Sequence, residues 1–138
     1  DAAYVVRLKN IHYDFNKWKI RPDAANELSR VVTFMNTTPE INIEMRSHTD
    51  ARGPAAYNLM LSQKRAESAV AYLRTKGVAS SRYTAVGFGE TQLLNSCGNG
   101  RHCTEADHQE NRRTEFKVIR VKSSKNTLNA AMVSKSVQ

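Results

Sequence analysis

The sequence predicts an α/β protein of the two-layer α+β kind, a βαβαβ(α)β chain with its helices on one face of the sheet. Three observations lead there. Short apolar and polar alternations recur at 4–15, 41–46, 82–88 and 113–120, which is the period of half-buried strands. Two longer stretches between them repeat apolar residues at helical spacing. A Thr-x-x-Asp signature ahead of the last strand marks a short third helix.

Residues 4–15 (YVVRLKNIHYDF) are rich in β-branched and aromatic types, and Ile11, Tyr13 and Phe15 alternate with His12 and Asp14. Val6 and Leu8 occupy the other phase, which predicts a bulge or a later strand start near Lys9 and Asn10. Pro22 followed by Asp23 reads as a first helical turn, where proline needs no amide hydrogen and a carboxylate meets the positive end of the dipole. Ala24, Leu28, Val31, Val32 and Met35 then form one apolar stripe, and Pro39 helps end the helix. Ile41, Ile43 and Met45 alternate with Asn42, Glu44 and Arg46 in a second strand.

After the loop SHTDARG a helix of about 20 residues is expected from Pro54, with Leu59, Ser62, Ala66, Val70 and Leu73 as its core stripe. Small side chains at Ser62, Ala66 and Ala69 permit close approach to a sheet. Arg74, Lys76, Gly77 and Val78 read as a left-handed cap with an apolar fold-back onto Leu73. RYTAVGF is a third strand, with GFG at 87–89 turning the chain after it. Thr104 and Asp107 cap a helix through about Asn111, and RTEFKVIR closes the domain. The domain is placed at 1–121, with a basic tail at 122–138 in which Leu128, Met132 and Val133 could form a docked turn.

The chain of 138 residues carries 21 Lys plus Arg against 13 Asp plus Glu, a net charge of +8. Arg120, Lys122, Lys125 and Lys135 supply +4 without any acid after residue 119, so the remaining 119 positions are only mildly basic, at 8 − 4 = +4. A content of 40% hydrophobic and 25% charged residues fits one domain burying roughly two-thirds of its unfolded surface, and excludes a wholly disordered chain. No apolar run approaches the ~18 residues of a membrane span. The start lacks an initiator Met and a signal-peptide core, so the chain reads as a piece of a longer protein whose membrane anchor or export signal would lie upstream.

His48-Thr49-Asp50-Ala51-Arg52-Gly53 joins a strand to a helix, a place where free backbone amides favour ligands. Asn58 and Arg65 are seven residues apart, two helical turns, and so share a face. Arg65 leans toward the helix N-terminus and the Asp50 loop. By spacing alone the simpler reading is a structural salt bridge; the other is a carboxylate and a guanidinium bordering one pocket.

The run HTDARGPAAYNLMLSQKRAESAVAYLRTKGV, with YDFNKWKIRP before it and GFGE and NRRTEFKV after it, resembles the OmpA-like peptidoglycan-binding domain of outer-membrane proteins, peptidoglycan-associated lipoproteins and flagellar stator proteins. The likeness spans residues 8–120, with the TD, G, N, LS, RA and NRR motifs in order. It implies an OmpA-like fold and binding of diaminopimelate in the peptide stem of peptidoglycan, with Asp50 and Arg65 in the positions that grip that residue. The free end of diaminopimelate bears an ammonium and a carboxylate on one carbon, which an acceptor anion and a guanidinium fork would match. Thr49, Asn16 and Asn58 fall at positions that add neutral hydrogen bonds, and Leu61 and Phe15 at positions that wall the pocket. Arg112 and Arg113 match NRR, with Arg113 either supporting the binding loop or serving the fold alone.

The resemblance further implies no enzyme activity and no cofactor, a periplasmic location at the outer membrane and wall of a Gram-negative cell, and peptidoglycan as partner, with a membrane reached only through an upstream segment. Cys97 and Cys103 enclose five residues, two of them glycine, which allows a small hairpin disulfide. The sequence alone leaves that pairing open; an oxidising periplasm favours it, at roughly 2 kcal/mol.

The four histidines show no metal-ligand spacing, and His48 with Asp50 reads as a loop pair. Trp18 reads as packing or a rim contact. Nucleic-acid binding, prompted by the +8 charge, would need a basic stripe and exposed sheet aromatics, whereas the strand faces mix Glu44 with Arg46 and Glu115 with Lys117. A wall hydrolase would need a second carboxylate or a metal set beside His48 and Asp50.

Overall fold

The computed structural model describes residues 3–8, 11, 13, 17–98 and 100–120. The elements follow the predicted order: β1 (Ala3–Leu8), α1 (Pro22–Thr37), β2 (Ile41–His48), α2 (Ala55–Thr75), β3 (Tyr83–Gly89), α3 (Glu105–Asn111) and β4 (Thr114–Arg120), with a 3-10 turn at Ser80–Arg82 before β3. Phe15 and Asn16 lie outside the described residues, as does the tail from 121 onward.

The strands order β1-β4-β2-β3, the last strand inserting between the first two. β4 runs antiparallel to both β1 and β2, and β2 runs parallel to β3 across the α2 crossover. Ile43 pairs with Val118 and Met45 with Phe116, so the apolar alternations of β2 and β4 fall on one face. That face meets Leu28, Val31, Phe34 and Met35 of α1 and Ala69, Val70 and Leu73 of α2 in one core. Phe34, absent from the expected α1 stripe, is fully buried with its ring centroid 6.1 Å from that of Phe116. Among the described residues no helix is long and apolar enough to cross a membrane.

Among the described residues β1 spans Ala3–Leu8, with Leu8 opposite Thr114, the first residue of β4; the bulge expected near Lys9 and Asn10 lies outside the described residues. Ile11 and Tyr13 continue the apolar alternation outside any strand: Ile11 is buried, and the Tyr13 hydroxyl donates to the Arg65 carbonyl at 3.2 Å.

α2 ends as its sequence predicts. Gly77 adopts φ 91°, its N–H bonds to Arg74 O, and Val78 N–H bonds to Leu73 O, the two hydrogen bonds of a Schellman cap. Of the expected core stripe Ser62, Ala66, Val70 and Leu73 are buried, but Leu59 is 50% exposed, and Asn58, Leu61, Arg65 and Ala69 share the buried face instead. The polar residues Asn58 and Arg65 occupy the inward face because that end of the helix borders a cleft and not the core.

GFG closes β3, and its last residue starts the turn after it: Gly89 adopts φ 56° and Thr91 N–H donates to Phe88 O at 3.1 Å. Gly87 lies where the α2 backbone presses on the strand; a Cβ there would fall 2.2 Å from Gln63 N. Gln63 in turn satisfies the edge of β3, accepting from Gly87 N at 2.8 Å and donating to Ala85 O at 3.1 Å. Arg82 donates to the carbonyls of Met35, Thr38 and Ile41, closing the end of α1 onto the start of β2. Both halves of the predicted Thr104/Asp107 capping box are present on α3.

Candidate binding site

The C-terminal end of β2, the loop after it, the first half of α2 and the α3–β4 junction enclose an open cleft of about 1080 Å³. Asp50, Arg65, Thr49, Asn58, Leu61 and Arg113 all line it, six residues that the chain brings from three separate stretches.

Asp50 is buried and its carboxylate is occupied. Oδ2 accepts from Arg52 Nη2 at 2.9 Å and from Arg112 Nη1 at 2.7 Å, and Oδ1 accepts from the Arg52 backbone N–H at 2.9 Å. Glu105, in the first turn of α3, takes the other arms of both arginines, at 3.2 Å from Arg52 and 2.6 Å from Arg112. Asp50, Arg52, Glu105 and Arg112 thereby form a closed, charge-neutral ring. Burial works against the charge on Asp50, but donation by Arg52 and Arg112 outweighs it and brings the carboxyl from 3.8 down to about 2.

Arg65 projects into the same cleft without an ion pair to Asp50. Its Nε donates to the Lys17 carbonyl at 2.9 Å, and its guanidinium carbon lies 4.8 Å from the centroid of the Tyr13 ring. The structural salt bridge that spacing alone suggested is therefore replaced by Arg52 and Arg112 on the acid and by Tyr13 and Lys17 under the arginine. Burial lowers the Arg65 pKa, yet a guanidinium starts so high that it stays charged.

Thr49 and Asn58 spend much of their hydrogen bonding on the loop. Thr49 Oγ1 donates to Asp50 O at 2.8 Å, while Asn58 Nδ2 donates to Arg52 O at 2.9 Å and to Glu90 Oε1 at 2.8 Å. They hold Asp50 in place.

A second ion cluster floors the cleft. His48 is not paired with Asp50; its Nε2 lies 2.9 Å from Glu115 Oε1, and its ring stacks on Phe88 with centroids 5.2 Å apart. Burial pushes the His48 pKa down, which fixes the neutral Nε2–H tautomer as donor to Glu115 and leaves Nδ1 with no partner among the described residues. Arg113 points to this cluster. It donates to Glu115 at 3.4 Å and to Gln92 O at 3.0 Å, and its own carbonyl accepts from His48 N, so it braces the loop end of β2. Arg112, the C-cap of α3, and not Arg113 reaches Asp50.

Sequence reasoning passed over Arg52 and Glu105 as members of the site. The only signal for Arg52 was its place two residues after Asp50 in a helix-entry loop; Glu105 had none, being one exposed acid among several. Cys97 and Cys103 form a disulfide, and with Asp107 nearby they do not offer free thiolates to a metal. On the outer face of the sheet Arg46 is bonded to Glu44 at 2.7 Å and lies over Phe88, so its charge is locally balanced and no basic stripe forms there.

The OmpA family model matches residues 12–107. The chain is 39% identical over 118 residues to outer membrane porin F of Pseudomonas fluorescens, covering 85% of this chain and 35% of that protein. It is 32% identical over 84 residues to the peptidoglycan-associated lipoprotein of Pasteurella multocida, covering 61% of this chain and 56% of the lipoprotein. The chain thus spans about a third to just over half of these relatives. Among solved structures, the peptidoglycan-associated lipoprotein of Burkholderia pseudomallei superposes with a TM-score of 0.69 at 26% identity, covering 83% of this chain and 89% of that one. The fold also matches the cell wall anchor of the T6SS from Pseudomonas aeruginosa, at TM-score 0.69 and 21% identity over 86% and 80% of the two chains.

Proposed function

The chain belongs to the OmpA family, and from that premise we propose that it binds peptidoglycan non-covalently through the diaminopimelate of the peptide stem, without catalysis, tethering an outer-membrane or envelope protein to the wall of a Gram-negative cell from the periplasmic side. The observation that carries this reading is the presence in one cleft of an ionised acid, Asp50, and a buried guanidinium, Arg65, both among its lining residues. Relatives named for peptidoglycan association support it.

Asp50 receives the ligand ammonium on Oδ1, which has taken only the Arg52 backbone N–H, or on Oδ2 after the half-exposed Arg52 arm swings away. Arg65 takes the carboxylate on the same ligand carbon through two parallel hydrogen bonds. Thr49, Asn58 and Leu61 shape the wall of the cleft, and Arg113 braces its floor. Phe15 and Asn16, outside the described residues, keep the roles that the resemblance implies, a wall contact and a neutral hydrogen bond. Charged hydrogen bonds contribute ~1.5–3 kcal/mol each, and ordering a flexible stem offsets much of that, so one site binds at about micromolar level or weaker. Firm attachment comes from many copies on one polymer.

The test is co-sedimentation with isolated sacculi. Asp50→Asn and Arg65→Lys, checked for folding by circular dichroism, are each expected to lose pelleting with diaminopimelate-type sacculi, and the wild type is expected to fail with lysine-type sacculi, which lack the carboxylate for Arg65. Retained pelleting in both variants would overturn the assignment.

A further inference from the structure

A second group of side chains continues the cleft beyond Arg65. Trp18 is 41% exposed although it is the chain's sole tryptophan and one of its largest apolar surfaces. Its ring lies against α2 with Lys64 Nζ 5.4 Å from the ring centroid. The preceding residue, Lys17, gives its carbonyl to Arg65, so the indole is anchored one residue from the cleft's own guanidinium. Along α2, Tyr57 lines the cleft, Met60 is 39% exposed, and Lys64 meets Trp18. These three positions, at i, i+3 and i+7, form one ridge. At 1.5 Å per residue the ridge is roughly 10 Å long.

We propose that Trp18 and Lys64 form a sugar-binding subsite that receives a pyranose ring of the glycan strand while the attached peptide stem occupies the cleft. The inference rests on the peptidoglycan reading above and extends it from the stem to the glycan. Two stem residues and a lactyl group separate diaminopimelate from its sugar, a reach of at most about 10 Å when extended at ~3.3–3.6 Å per unit, so the sugar of a bound stem stays in the neighbourhood of the cleft. A pyranose presents one face of C–H groups and a rim of hydroxyl and acetamido oxygens. An exposed indole suits the first, being a broad apolar plate fixed by two torsions, and the Lys64 ammonium, a pure donor, suits the second. The flanking Lys17 and Lys19 are also exposed. A polyhydroxylated ring uses both the apolar plate and the adjacent Lys64 donor.

The experiment compares two ligands on the unmodified protein by calorimetry: a sugar-free stem peptide containing meso-diaminopimelate, and the same stem carrying its disaccharide. The disaccharide ligand is expected to bind roughly 3–10-fold tighter, the gain of one aromatic contact, and to shift the tryptophan emission more than the sugar-free stem does. Since Trp18 is the sole tryptophan, that emission reports on this position alone. Trp18→Ala should erase the difference while leaving affinity for the sugar-free stem unchanged, and Trp18→Phe should keep part of it. Equal affinity for both ligands in the wild type, or an equal loss for both in Trp18→Ala, overturns the subsite and leaves the stem pocket standing. Binding of neither ligand overturns the stem reading itself.

Discussion

Two ion clusters meet at the C-terminal end of β2, one around Asp50 and one around Glu115, and water reaches them differently. In the outer ring the Arg52 and Glu105 side chains are 53% and 68% exposed. In the inner cluster His48, Glu115 and Arg113 are 0%, 8% and 7% exposed. Exposed pairs contribute little and rearrange cheaply, whereas removal of one partner from a buried group strands the others in a poor solvent. The outer ring can therefore open for a ligand, and the inner cluster has to hold the ends of β2 and β4 in register beneath it.

The contrast breaks most severely at Glu115. Glu115→Ala leaves Arg113 and His48 facing an empty buried site and is expected to lower the unfolding free energy by about 3–5 kcal/mol in a denaturant titration; a loss below about 1 kcal/mol would put the inner cluster on a par with the surface ring.

Acid separates the clusters by pH. Burial depresses the folded-state pKa of His48 below the ordinary histidine value of 6.5, so the unfolded chain takes up a proton that the folded chain refuses, and stability falls as pH drops below about 6.5. Glu115, bonded to His48 and Arg113, is also depressed, from 4.5, and its contribution goes at lower pH. Asp50 stabilises above 3.8 and loses its contribution as pH falls through about 2, a span worth at most about 2 kcal/mol and nearer 1 once the exposure of Arg52 is allowed for. Denaturant unfolding at pH 7, 5 and 3 should show the first decline between 7 and 5, and His48→Gln, which keeps a donor toward Glu115, should flatten that step while sparing the later one.

The smallest effect belongs to Arg52. Arg52→Ala removes one exposed arm from a ring in which Arg112 still holds Asp50, so the melting free energy should change by less than about 1 kcal/mol, and less again at high salt. A larger loss would mean that the outer ring is structural.

The contrast between the clusters also separates what could be read in advance from what could not. The Gly77 cap and the Thr104/Asp107 box were legible because each is a contract among residues within one turn. Local periodicity put Asp50 on a strand–loop–helix junction and Arg65 on the helix face that leans toward it, but spacing alone favoured a salt bridge between them, and only the family resemblance set them apart as a ligand pair. The exposure of Leu59 was not legible, since the orientation of α2 depends on how closely its backbone presses on Gly87.

By itself the sequence determined the order and type of the elements, the polarity of each face and the residues available to the cleft, because propensity, capping and periodicity act over a few residues. Tertiary structure alone decided which charges meet. Arg112 reaches Asp50 across 62 positions and His48 reaches Glu115 across 67, since β4 enters the sheet between β1 and β2. Coulomb attraction depends on distance in space and on the water between, and neither is encoded in distance along the chain.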